Sequence, residues 1–415
     1  MQRTNVFAGI FHTSIVAARR SAAQRLCVVN TPHRRLFPRA RRPSARQAAK
    51  PARKRRVRLS VSRPQELSSG QLAAWRRLQD GDPALASPFL RPEFALLVAD
   101  VRRDVAVATV EQDGEERAFL AFQRRGRVGR PVGGGLSDVQ AIVAEPGWDC
   151  DARALARAAG LAVLTFTHAR ADQLPFAPFH RRVAESPLVE LDGGFEAYVR
   201  GRRAAGSNVV TQTMSHARRL ERQLGPLRFV MHDPDPRSLN RLIEWKRHQY
   251  GQDRWGGALD LFSRRWTVEL LERVHAMQAE GFAGVLSALW AGDAMVAAHM
   301  GMRSATTLHY WFPAYDPAHA KLAPGRILLL EMIRAAAAAG IRRIELGAGD
   351  EGYKGRFANG AVAVASGFVG PPSIPLWNRR LWHAAEAVAR RVPIGRGGRR
   401  ADELLFRIEW ERNHK

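Results

Sequence analysis

Residues 315–357 constrain the fold of this 415-residue chain more than any other stretch. Asp316-Pro317 predicts a turn at the end of a strand, and Pro324-Gly325 predicts the first turn of a helix. A Leu- and Ala-rich segment follows with the apolar spacing of a packed helix, and Gly340 ends it. Residues 342–346 then predict a short strand before a polar loop. This order is typical of an α/β unit, in which the helix N-terminus offers free N–H groups to an anion.

Four motifs follow one another in this stretch. They are Tyr315-Asp316-Pro317, Pro324-Gly325, the loop 345–350 (Glu-Leu-Gly-Ala-Gly-Asp), and Tyr353-Lys354 with Phe357. In this order they resemble the GNAT-type acyltransferases of the CelD-like, cellulose-biosynthesis class. The last motif is similar to the Phe/Tyr-Lys-x-x-Phe element of the FemABX aminoacyl transferases. Of the usual GNAT pyrophosphate signature, Gln/Arg-x-x-Gly-x-Gly/Ala, only Gly325 is present.

The resemblance implies an enzyme, an acyltransferase that takes its acyl group from acyl-CoA, with acetyl-CoA as the expected co-substrate. The acceptor would be the amine or hydroxyl of a small molecule or saccharide, in exopolysaccharide, cellulose or cell-envelope synthesis. Two alternatives stay open. One is FemABX-like aminoacyl transfer from tRNA to a peptidoglycan precursor, although the sequence has no long helical hairpin insert for tRNA. The other is a non-catalytic binding protein with the same fold.

The rest of the sequence predicts an α/β fold with a mixed, mostly antiparallel sheet flanked by helices. Residues 105–110 and 118–123 are separated by a tight-turn signal, and three further strands lie between residues 284 and 312. Hairpin-joined strands are antiparallel, whereas a crossover helix allows a parallel neighbour. The Gly-rich loop 126–135 lacks the Lys-Ser/Thr of a P-loop, so we interpret it as a turn that crosses between two halves.

With the resemblance, this order predicts two GNAT-like halves packed side by side. The Gly-rich loop before Ser137-Asp138 is similar to the N-terminal half of the CelD-like family. The expected units are a basic disordered arm, an N-terminal GNAT-like half, a C-terminal acyltransferase domain, and a terminal helix with a basic tail. Their limits are 1–58, 59–200, 201–375 and 376–415.

The net charge of +26 is concentrated at the N-terminus, where residues 1–65 contain 17 Lys and Arg residues and no Asp or Glu. This segment has no periodic apolar face, which is typical of disorder. A transit peptide, or a start codon assigned too far upstream, would give the same composition. We expect no specific nucleic-acid partner, and we expect any membrane contact to be peripheral, through the basic arm.

Cysteine content and hydropathy favour a cytoplasmic protein. Cys27 and Cys150 are the only cysteines, which excludes a disulfide framework. No apolar run approaches the roughly 20 residues that span a bilayer. No cluster of His, Cys and Asp has the spacing of metal ligands, so no metal is expected.

Acyl transfer needs a polarised thioester carbonyl, a deprotonated acceptor and a protonated leaving thiolate. The loop after the predicted strand 342–346 lies where open α/β sheets bind ligands. In this loop Asp350 and Glu351 are base candidates, Tyr353 is an acid candidate, and Lys354 can neutralise phosphate or oxyanion charge. The structural alternative is that Asp350 caps a short helix while Tyr353 only packs.

The donor site is expected at the start of the Leu-rich helix and in the loop after the next strand. Its candidate residues are Pro324, Gly325, Arg326, Gly347 and Gly349, whose backbone can approach a pyrophosphate.

His309 completes the set of catalytic candidates. His309 and Tyr310 project from opposite faces of a predicted strand, so one of them faces the core or a cleft. The alternative for His309, and for His299 on the preceding strand, is a satisfied core histidine.

Overall fold

The computed structural model describes residues 57–252, 260–348 and 352–391. Fourteen strands are present in these residues: β1 Val57–Ser62, β2 Val105–Gln112, β3 Glu115–Arg125, β4 Val128–Arg130, β5 Val143–Ala144, β6 Val163–Arg170, β7 His180–Glu190, β8 Leu227–Val230, β9 Gln278–Ala279, β10 Phe282–Ala291, β11 Ala294–Arg303, β12 Thr307–Tyr315, β13 Arg343–Glu345 and β14 Gly360–Val369. The described helices are α1 Ser69–Asp80, α2 Pro92–Val101, α3 Ala152–Ala158, α4 Gly194–Ala204, α5 Val209–Leu224, α6 Pro236–Gly251, α7 Arg265–Ala276, α8 Pro324–Ala338, α9 Lys354–Phe357 and α10 Ile374–Arg391.

All the strands belong to one mixed sheet with the order β1-β2-β3-β4-β6-β14-β7-β13-β12-β11-β10-β8, while β5 pairs with β3 and β9 with β10. Two strand pairs are parallel, β4 with β6 and β12 with β13, and the other pairs between described strands are antiparallel. Each parallel pair lies one strand from the centre of the sheet. The order is therefore pseudo-symmetric about the β14–β7 pair, which confirms the predicted mixed α/β fold.

The two central strands are exchanged between the halves of the sheet. β7 follows β6 in sequence but pairs with β13, and β14 follows β13 in sequence but pairs with β6. The exchanged strands also pair with each other along their length, from Gly360 opposite Leu188 to Gly367 opposite His180. Each half of the sheet is therefore completed by a strand from the other half. The domain limits 59–200 and 201–375 stay a prediction.

Local sequence explains why most elements form where the sequence predicts them. Ser68 begins α1 as the N-cap of a capping box with Gln71, whose side chain reaches back to the Ser68 N–H. The hairpin between β2 and β3 turns at Asp113 and Gly114, both of which have positive φ angles. Asp316 caps the turn after β12 through the Ala318 N–H. These local signals act at short range, so the sequence alone reveals them.

Helices cover both faces of the sheet. In the C-terminal half, α6 and α7 pack on one face, and α8 packs on the other with α4 and α5 behind it. The largest cluster of buried apolar side chains joins the two halves, since Phe94 and Val98 of α2 contact the same core as Leu270 and Met300. The halves are thus fused through a shared core as well as through the exchanged strands.

One sequence expectation needs correction. The Gly-rich loop 126–135 does not cross between the halves, because it contains β4, which pairs with β3 and β6 of the N-terminal half. The exchanged strand β14 was not among the predicted strands. Within the described residues, no helix combines the length and hydropathy needed to cross a membrane.

Candidate active site

A cluster of ionisable side chains lies where the parallel pairing of β12 and β13 ends. The last register pair places His309 directly opposite Glu345. The Nδ1 atom of His309 lies 3.2 Å from Glu345 Oε2, and the hydroxyl of Ser87 donates to the same oxygen at 2.7 Å. Beyond this point β13 stops, while β12 continues to Tyr315. The cluster therefore lies at the base of the gap where the two strands separate.

The N-terminal half supplies the second carboxylate. Asp138 follows the Gly-rich loop, and its Oδ2 lies 2.9 Å from His309 Nε2. The side chain of His309 is fully buried, whereas that of Asp138 is 28% exposed. The chain after β13 passes close to Asp138, because a Cβ on Gly347 would lie 3.0 Å from Asp138 Oδ2 and Gly347 has a φ of 76°. Asp138 is thus the member of the cluster that opens towards solvent.

The two carboxylates keep His309 protonated. Burial alone lowers the pKa of His309, but the hydrogen bonds and charges of Asp138 and Glu345 outweigh it and raise the pKa to about 8. Burial raises the pKa of Asp138, but the hydrogen bond and charge of His309, with smaller contributions from His168 and Lys354, give a net lowering. At neutral pH the cluster is therefore an imidazolium that donates from both ring nitrogens to carboxylates.

Lys354 adds a second buried cation next to this cluster. It begins α9, is 5% exposed, and donates from Nζ to the Leu346 carbonyl oxygen at 3.2 Å. Its Nζ also lies 5.8 Å from the centre of the Tyr310 ring. Lys354 lowers the pKa of Asp138 by its charge, so the two groups interact across the site.

Aromatic packing fixes the loop that carries Asp138. The ring of Phe89 meets that of His309 edge to face, with centroids 4.7 Å apart. The indole N–H of Trp311 donates to the Leu136 carbonyl oxygen at 2.8 Å. Both contacts join β12 to segments of the N-terminal half. The distance between Asp138 and His309 is therefore set by packing as well as by charge.

His299 and Tyr310 lie away from the carboxylates. The His299 Nε2 accepts a hydrogen bond from the Trp311 backbone N–H at 3.2 Å, and its ring stacks on that of Tyr310 with centroids 4.3 Å apart. Burial, with the nearby charges of His309 and Lys354, lowers the pKa of His299 well below its usual value. His299 is therefore a neutral core histidine.

The predicted donor residues Pro324, Gly325 and Arg326 form the first turn of α8. The residue with a left-handed conformation is Ala323, with a φ of 55°, whereas Gly325 has helical geometry. A Cβ on Gly325 would lie 3.4 Å from the ring of Tyr315, at the far end of β12. Since β12 rises by about 3.3 Å per residue, this turn lies roughly 20 Å along the strand from His309.

The remaining candidates are only partly described. Gly349, Asp350 and Glu351 lie outside the described residues. Tyr353 is half-buried at the start of α9 and packs against the core beneath α8. The described residues contain no group of three or more His, Cys, Asp or Glu side chains that could hold a metal ion.

For three residues of the cluster the sequence predicted no role in the site: Ser87, Asp138 and Glu345. Glu345 could have been found from the two strands that flank the Leu-rich helix, since parallel pairing brings a histidine and a glutamate of two apolar strands together. Asp138 and Ser87 are 171 and 258 residues from their partners along the chain. No local pattern indicates such contacts.

Residues 207–355 match the model of a family described as an acetyltransferase (GNAT) domain. This match begins just before α5 and includes β12, α8, β13 and Lys354. Among the curated proteins, none matches the sequence.

The fold is similar to those of several solved structures. FemX has 10% identity and a TM-score of 0.49, with 74% of this chain and 98% of that chain covered. The C-terminal domain of a lysylphosphatidylglycerol synthetase from Agrobacterium fabrum has 13% identity and a TM-score of 0.46, with 71% and 90% covered. A tandem GNAT protein from the clavulanic acid biosynthesis pathway has 12% identity and a TM-score of 0.42, with 77% and 100% covered.

Proposed function

We propose that this protein is a GNAT-type acyltransferase that moves an acyl group from acyl-CoA to an amine or hydroxyl acceptor. One observation carries the proposal. Within the segment that matches the GNAT acetyltransferase domain, the parallel strands β12 and β13 separate at His309 and Glu345, which form an ionic cluster with Asp138 of the N-terminal half. A gap between strands with charged groups at its base is suited to an extended substrate whose reactive end reaches those groups.

The donor would lie along the gap with its phosphates at the first turn of α8. The backbone N–H of Gly325 and the side chain of Arg326 suit an anion there, because the helix dipole is positive at this end. Gly347 and Gly349 would let the chain after β13 approach the donor closely. The thioester would then extend towards His309. Acetyl-CoA is the donor that we propose, as the resemblance implies.

Asp138 is the base that we propose for the acceptor. It is ionised and partly exposed. Because His309 is hydrogen-bonded to its Oδ2, the other carboxylate oxygen would accept the proton of the acceptor. The acceptor would lose its proton to this carboxylate as its oxygen or nitrogen attacks the thioester carbon. The carbon–sulfur bond would break, and the CoA thiolate would take up a proton. Glu345 and Ser87 act indirectly, by holding His309.

Lys354 would stabilise the negative charge that develops on the thioester oxygen or lies on the phosphates. Its burial supports this role, because a cation in a water-poor site interacts strongly with developing charge. Asp350 remains a second candidate base, Tyr353 a candidate acid for the thiolate, and His309 a charged group that orients Asp138. The resemblance to CelD-like proteins supports a saccharide acceptor in exopolysaccharide or envelope synthesis.

Ligand-induced stabilisation tests the donor. Acetyl-CoA at 100 times its Kd should stabilise the protein by about 2.7 kcal/mol, because it binds only the folded state. Gly325→Val should reduce the affinity for acetyl-CoA by roughly tenfold or more, since the added side chain blocks close approach to the helix turn. Gly201→Val is the matched control, because Gly201 is also helical and has open space around its Cβ position.

The two variants separate donor binding from folding. Both should unfold within a few degrees of the wild type in the absence of ligand. An unchanged affinity in folded Gly325→Val would place the donor elsewhere. If aminoacyl-tRNA stabilises the protein and acetyl-CoA does not, the donor is of the FemABX type.

A further inference from the structure

A bulge in β6 displaces His168 from the regular pairing of the sheet. Ala169 lies opposite Ala365 of β14 and Phe166 lies opposite Gly367, so two residues of β6 face one residue of β14 between these pairs. His168, the second of the two, has a φ of 53°, which is uncommon for a residue other than glycine. Bulges and such backbone conformations are concentrated at functional sites. The contacts of the His168 ring therefore indicate what this conformation serves.

The ring of His168 contacts the segment that carries Asp138. Its Nδ1 lies 3.4 Å from the Ser137 carbonyl oxygen, which can only accept a hydrogen bond, so Nδ1 carries the proton in this contact. The residue is half-buried, and its charge is one of the causes that lower the pKa of Asp138. The Asp138 carboxylate thus interacts with one histidine from each half of the sheet, His168 of β6 and His309 of β12.

Further contacts hold the segment on either side of Asp138. Before it, the Leu136 carbonyl oxygen accepts a hydrogen bond from the Trp311 indole. After it, the Gln140 N–H donates to the His168 carbonyl oxygen at 3.1 Å. The His168 ring differs from these contacts, because it reaches the carbonyl group of the peptide bond that directly precedes Asp138. The orientation of this peptide group sets the direction in which the carboxylate points.

We propose that His168 is a positioning residue that directs the Asp138 carboxylate towards His309 and the acceptor, through the hydrogen bond from its ring to the Ser137 carbonyl oxygen. This inference rests on the proposed function, in which Asp138 is the base. A misplacement of about 1 Å can lower a rate by roughly 10²-fold. A contact with the peptide group of the base therefore affects turnover without touching the substrate. In the opposing account, the backbone of the bulge alone holds the segment.

Three substitutions separate the ring of His168 from its backbone conformation. His168→Ala removes the ring and keeps the strain of the positive φ angle, whereas His168→Gly removes both. His168→Asn keeps an N–H donor near the position of Nδ1, and Asn adopts a positive φ readily. We expect kcat to fall roughly tenfold or more in the Ala and Gly variants, with an unchanged KM for acetyl-CoA, and to stay near the wild-type value in the Asn variant. His180→Ala, at a partly buried histidine of the same half, is the control and should keep its rate.

The titration of His309 tests the position of Asp138 without any substrate. Asp138 helps to raise the pKa of His309 to about 8, so a carboxylate that moves away lowers this pKa towards its value in Asp138→Asn. Loss of the positive charge of His168 cannot by itself lower the pKa of another histidine. The variants also leave the other charged groups of the site, Glu345 and Lys354, in place. NMR of the His309 imidazole around pH 8 is the measurement, with the melting temperature as the folding control.

The two measurements distinguish this proposal from the proposed function. A lower His309 pKa in His168→Ala and His168→Gly, restored in His168→Asn, supports the positioning role even where acetyl-CoA is not the donor. Wild-type turnover with a wild-type titration in folded His168→Gly would overturn that role and leave the backbone of the bulge to hold the segment. A rate loss in all three variants with an unchanged titration would also overturn it, because His168 would then contact the substrate itself. Failure of the proposed function would instead appear as a wild-type protein that neither binds nor turns over acetyl-CoA.

Discussion

The two halves of the sheet have the same topology but different chemistry where their parallel strands meet. In the N-terminal half, β4 has 3 residues and its last pair joins Gly129 to Leu164. A Cβ on Gly129 would lie 2.7 Å from Leu161 Cδ1 and 3.0 Å from Leu164 Cδ1, so apolar side chains already fill the space beside it. The crossover helix α3 has only 7 residues. In this half, apolar packing therefore fills the space beside the last parallel pair.

In the C-terminal half, β12 has 9 residues, α8 has 15, and the last parallel pair joins His309 to Glu345. The same strand–helix–strand connection therefore ends on an ion pair in one half and on leucine side chains in the other. A shared topology alone therefore does not produce a cluster of charged side chains. The C-terminal half gains its chemistry from a longer strand, a longer helix and two polar residues in register.

The difference predicts that substitutions in the polar cluster lower turnover far more than they lower stability. Lys354→Met should have the largest effect. If the ammonium stabilises phosphate or oxyanion charge, the rate at saturating donor should fall on the order of 10²-fold or more. Arg241→Met, which removes an exposed cation of α6, is the control and should keep its rate. Near-wild-type turnover in a folded Lys354→Met protein would leave Lys354 with a packing role.

Asp138 tests whether the N-terminal half contributes to chemistry. Asp138→Asn should lower kcat by about 10²-fold, the lower end of what general-base catalysis contributes. Asp104→Asn makes the same change at a half-buried carboxylate of that half, whose partners are Arg102 and Gln123, and it should cost stability without a specific loss of rate. If both variants turn over at equal rates, the base lies elsewhere, with Asp350 as the next candidate.

The charge on His309 predicts how stability depends on pH. Because two carboxylates raise its pKa from 6.5 to about 8, its contribution is fully present below pH 6.5 and is lost as the pH rises through 8. The lost contribution is about 2 kcal/mol, or a few degrees in melting temperature between pH 6 and pH 9.

His309→Gln should remove this part of the pH dependence. His180, in the N-terminal half, has its pKa lowered by burial, so His180→Gln should leave the loss between pH 6.5 and pH 9 in place. Thermal unfolding of the three proteins across this range is the measurement. Parallel curves for the wild type and His309→Gln would show that His309 is not the titrating group.

The smallest effect is expected for the N-terminal segment. β1 begins at Val57 and pairs with Gln112 of β2, so the sheet starts where the strongly basic stretch ends. Deleting residues 1–56 should leave the melting temperature and the turnover rate unchanged. A loss of several degrees would show that the segment packs on the fold.

Sequence reasoning recovered the elements whose signals are local. The turn at Asp113-Gly114 and the Pro-initiated start of α8 act within a few residues, and both were predicted. Lys354 was predicted from the resemblance to the FemABX element, and His309 was predicted from the pattern of its strand. Each was identified on its own, without its partners.

What the sequence could not indicate depends on contacts between distant segments. β14 combines an alternating Ala-Val segment with glycines at Gly360 and Gly367, and its pairing partners, β6 and β7, lie far away in the sequence. Its glycines are needed there, since a Cβ on Gly367 would lie 2.2 Å from the Phe179 carbonyl oxygen. Asp138 reaches His309 only once both halves are folded. The identities of the acid and base partners are therefore properties of the tertiary structure.

The exchange of β7 and β14 sets an order on the synthesis of the chain. β7 emerges from the ribosome long before both of its neighbours in the sheet, and β6 long before one of its two neighbours, because β13 and β14 begin more than 150 residues after β7 ends. At about 5–20 residues per second, this interval lasts roughly 10–30 s. During it, both strands have edges that are open to pairing with other chains, which is the condition that favours aggregation. Slow translation between residues 190 and 360 would lengthen this interval. A chaperone that covers strand edges would act on the chain during this interval.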